Sequence, residues 1–126
     1  MSQQIKIRTG TIEGQAQLND TDTAMKVLNV LPITSRVNIW GDEIYFTIPV
    51  DAKLENGQET VRLGDIAYWP EGRALCIFFG DTPISEGDEI RPISAVTVIG
   101  HIDGDREVMQ GMLSRLKAGE KLIISA

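Results

Sequence analysis

Arg36-Val37-Asn38-Ile39-Trp40-Gly41-Asp42-Glu43-Ile44-Tyr45-Phe46-Thr47-Ile48 reads as two short strands around a tight turn. Apolar and polar residues alternate on either side of Gly41-Asp42, the period-two pattern of a half-buried antiparallel pair. Glycine in first place suits a two-residue type II′ turn. Such a loop pairs Trp40 with Glu43, Asn38 with Tyr45 and Arg36 with Thr47. Those six residues share one face. Val37, Ile39, Ile44, Phe46 and Ile48 share the other, which reads as core because side chains alternate across a strand.

Working outward, a second hairpin spans Ile66 to Phe79 around Pro70-Glu71-Gly72-Arg73. Its register pairs Trp69 with Ala74, Tyr68 with Leu75 and Ala67 with Cys76. Ile66, Tyr68, Leu75, Ile77 and Phe79 form one face, and Ala67, Trp69, Ala74, Cys76 and Phe78 the other. Both faces are apolar, so this pair lies between two packed layers or lines a pocket on one side. At the N-terminal end, Ile5 and Ile7, then Ile12, Gly14, Ala16 and Leu18, alternate with polar residues across a turn at Gly10. Further short strands are expected at Thr60–Leu63, Ala95–Ile102 and Glu120–Ser125. The spacing of Ala24, Val27, Leu28 and Leu31, stopped by Pro32, predicts a helix over 22–31. Met109, Met112, Leu113 and Leu116 recur at i, i+3, i+4 and i+7 and predict a second over 105–117. Residues 49–57 and 80–92, with their prolines and glycines, read as loops.

About eight or nine strands and only two helices, with no βαβ alternation, define a mainly β chain. A closed barrel whose helices cap its openings fits this pattern. The 126 residues are enough for one domain, taken as 1–126, with a core that needs no disulfide or metal staple. Cys76 is the only cysteine, so no internal disulfide or multi-cysteine zinc site is available. The longest purely apolar run, Ala74 to Phe79, is far too short to span a membrane. No charged-then-apolar segment with a small-residue cleavage site stands at the start of the sequence, so no secretory signal is expected and a cytoplasmic location is. The 18 acidic and 12 basic residues give a net charge of −6, which repels a phosphate backbone and argues against a nucleic-acid partner.

The candidate site is the mixed face of the first hairpin. Arg36, Asn38, Trp40, Glu43 and Tyr45 line a cleft there, with Trp69 or Phe78 as an apolar wall. Arginine would meet a small anionic or carbonyl group and the indole an apolar portion of the same ligand. The alternative for this face is a solvated sheet surface carrying an Arg36–Glu43 surface ion pair. Cys76, inside an apolar run, reads as a buried and inert thiol. His101, the only histidine, stands near Asp103 but lacks a nucleophile in any recognisable motif. Asp103, Asp105 and Glu107 fit helix capping better than metal ligation. No catalytic residue, metal ligand or cofactor is assigned; phosphate-loop, dinucleotide and hydrolase motifs are missing from the sequence.

Two segments together resemble the small prokaryotic cyclophilin-like family of unknown function. They are Trp40-Gly41-Asp42-Glu43-Ile44-Tyr45-Phe46, and Gly64-Asp65-Ile66-Ala67-Tyr68-Trp69-Pro70 continued by Ala74-Leu75-Cys76-Ile77-Phe78-Phe79-Gly80-Asp81-Thr82-Pro83-Ile84-Ser85. The resemblance runs from about Ile5 to Ile102. It implies a closed cyclophilin-like β-barrel capped by helices. True cyclophilins are prolyl isomerases that hold an arginine, a phenylalanine and a glutamine in an FHR-type segment leading into QGGD. That segment is missing here, so no catalytic residue carries over and little or no prolyl isomerisation is expected. The resulting reading is a non-catalytic module that binds a small molecule or peptide segment. A divergent prolyl isomerase and a homo-oligomeric interaction protein are the alternatives.

Overall fold

Among the described residues, alternation along the chain is realised as nine strands and two α-helices. The computed structural model describes residues 3–126. In chain order these are β1 (Gln3–Thr9), β2 (Ile12–Leu18), α1 (Asp22–Asn29), β3 (Ile33–Arg36), β4 (Asn38–Trp40), β5 (Glu43–Thr47), β6 (Asp65–Trp69), β7 (Ala74–Phe78), β8 (Thr97–Ile102), α2 (Arg106–Arg115) and β9 (Lys121–Ser125). All pairings between these strands are antiparallel. The order is β3-β9-β1-β2-β8-β6-β7-β5-β4. Its two ends, β3 and β4, are consecutive in the chain and meet at Val37. One continuous stretch therefore leaves β9 and joins β5, which nearly closes the sheet into a barrel. Across that seam the Ser35 hydroxyl donates to the Thr47 carbonyl at 2.7 Å.

The barrel interior collects the inward set of each strand: Ile5 and Ile7, Ala16 and Leu18, Ile44 and Phe46, Ile66 and Tyr68, Leu75 and Ile77, Ile99 and Ile102, Leu122 and Ile124. Ala24 and Val27 of α1, and Met109 and Met112 of α2, add their apolar faces to the same core. Thr21 caps α1 by accepting from the Ala24 amide at 3.1 Å. The Glu55 carboxylate accepts from the amides of Asp22 and Thr23 at 3.1 and 3.0 Å, so the 49–57 loop is tied to the helix N-terminus. Asp105 caps α2 through the Val108 amide at 2.9 Å, which accounts for one of the acidic residues there.

Most registers agree with the alternation, and four expectations are corrected. Arg36 does not face Thr47. It pairs with Lys121 of β9, because the chain changes partner at Val37, while Thr47 pairs with Ala74. Ile39, expected in the core, is 39% exposed: β4 ends the strand order and no further strand covers its inner face. Thr60–Leu63 forms no strand; Gln58 and Val61 make only isolated bridges, to Val96 and Ile90. Helix α1 ends at Asn29 rather than at residue 31, since residues approaching a proline are pushed out of helical geometry.

Tyr68 shows how the core handles its polar atoms. Its side chain is fully buried, its hydroxyl donates to the Val50 carbonyl at 2.6 Å, and it accepts from the Ala52 amide at 3.3 Å. Tyr68→Phe leaves both backbone groups unpaired inside the protein. It is expected to lower unfolding stability by about 1–3 kcal/mol, read as a lower urea midpoint at unchanged slope.

Candidate functional site

β5, β6 and β7 turn a second apolar set outward, and this set builds the site. The outward residues Ala67, Cys76 and Phe78 form a separate small core with Val61, Ile90 and Val96, which arrive from loops and cover the sheet. Every residue of β7 is buried, so the strand lies between the barrel interior and this outer layer. Beside the outer layer, four strands set their side chains in a row. Trp40 of β4 faces Glu43 of β5, Tyr45 faces Cys76 of β7, and Trp69 of β6 pairs with Ala74, two residues along β7 from Cys76.

The segment from Asp81 to Val96 roofs this row. Thr82, Ser85 and Arg91 tie it together: Ser85 Oγ accepts from the amides of Thr82 and Arg91, each at 3.0 Å, and the Thr82 hydroxyl donates to the Arg91 carbonyl. Asp81 anchors it to the turn, accepting from the Asp42 amide at 2.9 Å. The turn has little room to vary. Gly41 adopts φ +62°, and a Cβ there would stand 2.8 Å from Pro83 Cδ and 3.0 Å from the Asp81 carbonyl oxygen. The indole of Trp69 donates to Ser94 Oγ at 2.8 Å. Between roof and sheet is a pocket of about 220 Å³ lined by Trp40, Glu43, Tyr45, Trp69, Cys76, Pro92, Ile93 and Val96. Tyr45 and Trp69 meet edge to face, with ring centroids 6.4 Å apart, an arrangement that aromatic quadrupoles favour.

Trp40, Glu43, Tyr45 and Trp69, expected from the sequence, thus come together around one concavity. Arg36, Asn38 and Phe78 do not line it. Arg36 lies beyond the Val37 seam and donates to the Gly119 carbonyl at 3.0 Å. Asn38 is exposed and donates to the Tyr45 carbonyl at 3.3 Å. Phe78 is fully buried in the outer core, opposite Glu43. Without Arg36 the expected preference for an anionic or carbonyl group loses its basis. Neither an Arg36–Glu43 ion pair nor a flat wet face is present. Pro92, Ile93 and Val96 were missed as pocket residues. Pro92 and Ile93 stand at the end of a proline-rich stretch with nothing to say which surface they cover, and Val96, expected inside a strand over Ala95–Ile102, precedes β8, which begins at Thr97. Cys76 is buried, as expected, and stands on the pocket wall on the outward face it shares with Trp69.

Glu43 is 4% exposed, and its Oε1 is buried with no hydrogen-bond partner. Burial raises its carboxyl from 4.5 to about 7, while a hydrogen bond with the neighbouring Cys76 thiol pulls the other way. Burial, and then the neighbouring Glu43 charge, push the Cys76 thiol well above its ordinary value. His101 is remote from this pocket. Its Nδ1 stands 3.3 Å from Asp65 Oδ1, its cross-strand partner, so Asp65 and not Asp103 is its acidic neighbour. Among the described residues no cluster of three or more His, Cys, Asp or Glu side chains could hold a metal ion. No helix there is long and apolar enough to cross a membrane.

A nearly closed antiparallel barrel with a roofed pocket on its outer face is thus the class of protein that fold and site define. A family model described as cyclophilin-like matches residues 3–124, and the chain belongs to that family. A hypothetical protein from Archaeoglobus fulgidus, known from its solution structure, is 41% identical with a TM-score of 0.79, over 98% of this chain and 94% of its own. McbB, solved in complex with tryptophan, shares the fold at 12% identity and a TM-score of 0.70, over 96% of this chain and 44% of its own. No curated protein matches.

Glu43 makes stability depend on pH in a defined direction. Its folded value of about 7 lies above the ordinary 4.5, so the fold favours the protonated acid. The stabilisation is complete below about pH 4.5 and is lost as pH rises through 7. Glu43→Gln keeps the shape without the charge. The stability difference, variant minus wild type, is expected to grow by on the order of 3 kcal/mol between pH 4.5 and 8, measured by urea unfolding at each pH. Cys76 is expected to react with a thiol reagent at least about a hundredfold more slowly in the folded protein than in urea, followed by the rate of absorbance change.

Proposed function

We propose that this cyclophilin-like barrel is a non-catalytic binding module for a small molecule, held in the outer pocket between Trp40, Tyr45, Trp69 and the roof. One observation carries the reading: three aromatic side chains and one acidic group from three different strands converge on a single roofed concavity. Pockets of this make-up, mostly apolar with few placed polar groups, are the usual form of small-ligand sites. Its size suits a ligand of one ring with a short chain. A related barrel, McbB, is known in complex with tryptophan, which agrees with a small-ligand role but comes from a distant relative of more than twice the length. A peptide segment fits less well, because the roof leaves a pocket rather than a long groove. The protein is read as acting without a nucleic-acid partner, given its net charge of −6, and in the cytoplasm.

The test is a screen of one-ring fragments followed by amide chemical shifts. Binders are expected to perturb Tyr45, Trp69 and Val96 together, and Trp40→Ala is expected to weaken them at least about tenfold through lost aromatic contact. Binders that perturb only other surfaces, or that ignore Trp40→Ala, overturn the reading.

A further inference from the structure

The identity of the polar groups in the pocket goes further than the presence of a pocket. Resting on the small-ligand reading, we infer that the site selects a cation: a compact amine, protonated, on an apolar one-ring body, with its ammonium paired to the Glu43 carboxyl. Among the described residues, Glu43 is the only charged side chain on the wall. Its Oε1 is buried without a hydrogen-bond partner, the state that buried acceptors otherwise avoid. Among the described residues no cation reaches it. The ion pairs there join Arg73 to Asp51, Arg91 to Glu89 and His101 to Asp65, and Arg36 is turned to the Gly119 carbonyl. An acceptor with this surplus takes a donor from the ligand.

The aromatic walls point the same way. Trp40, Tyr45 and Trp69 line the wall, and the negative quadrupole potential of an aromatic face attracts a cation within about 6 Å. A carboxylate would meet both those faces and a like charge on Glu43, and like charges placed together reject a ligand. A neutral alcohol could donate to Glu43 but would gain nothing from the rings. Val96, Pro92 and Ile93 supply the apolar contact for the ligand's carbon body. Ile93, at 60% exposed, stands at the rim, where a bound ring would cover it. The titratable groups on the pocket wall besides Glu43 are Tyr45 on its own strand and Cys76 from β7; β4, β6 and the roof contribute none. At pH 8 the carboxyl, with its folded value of about 7, is mostly ionised, so that pH suits the measurement.

Three probes of one shape separate the cases: 2-phenylethylammonium, 2-phenylethanol and 3-phenylpropanoate, titrated into the intact protein at pH 8 and followed by tryptophan fluorescence. The ammonium is expected to bind at least tenfold more tightly than the alcohol, and the carboxylate more weakly than either. Glu43→Gln, which keeps the side-chain shape, is expected to remove that tenfold advantage, so that the ammonium binds the variant no more tightly than the alcohol does. Alcohol binding as tight as ammonium binding, or an ammonium affinity indifferent to Glu43→Gln, overturns the cation inference but leaves the pocket standing. Tightest binding of the carboxylate overturns it likewise. Failure of all three to bind overturns it together with the small-ligand reading.

Discussion

The rest of this structure depends on a strand that is buried on both faces. β7 carries Leu75 and Ile77 into the barrel and Ala74, Cys76 and Phe78 out of it, and every one of them is buried. A barrel wall normally leaves its outer face to water. Here the outer face is apolar, and leaving it exposed would forfeit roughly 25 cal/mol for each Å² of apolar surface. The chain therefore needs a second layer. Val61, Ile90 and Val96 provide it, and they bring the 81–96 segment over the sheet. The pocket is where that cover stops short of the sheet.

Glu43 stands at the boundary between fold and site. For the fold it is a liability, an acid forced out of water beside a thiol, with one oxygen left unpartnered. The barrel tolerates it because β5 is held on both sides, by β4 and β7, and because protonation relieves the charge. A leucine there would satisfy the core better. An acidic group retained in an apolar and aromatic setting is a common mark of a site at which stability is given up for chemistry or recognition. The Thr82–Ser85–Arg91 network keeps the roof in place over it, so that the pocket is formed before any ligand arrives.

Closure of the barrel follows from a device that local patterns do not display. Residues 33–40 form one extended run in the sequence, yet they serve two different neighbours, β9 up to Arg36 and β5 from Asn38. The change at Val37 is what turns Arg36 away from the hairpin and leaves Ile39 uncovered. Hairpin reasoning works only while both strands stay with each other. It holds for Trp40, Glu43, Asn38 and Tyr45, next to the turn, and fails one pair further out, where a distant strand competes for the same backbone groups.

Local order was legible because its causes are local. Period-two alternation set the inward and outward faces of β1, β2, β5, β6 and β7. The Gly41-Asp42 turn set the register of β4 on β5, the loop at Pro70–Arg73 set that of β6 on β7, and the spacing of Met109 and Met112 set the buried face of α2. Trp40, Glu43, Tyr45 and Trp69 could be picked out for the same reason, since each stands a few residues from a turn that aims it. What only the tertiary structure decided is which distant segments meet. Pro92, Ile93 and Val96 reach the sheet, Arg36 and Asn38 leave the site, and Phe78 goes beneath it. Those outcomes depend on loop paths and strand partners chosen by burial over the whole chain, and an acid becomes a buried and unpaired acid only after that choice is made.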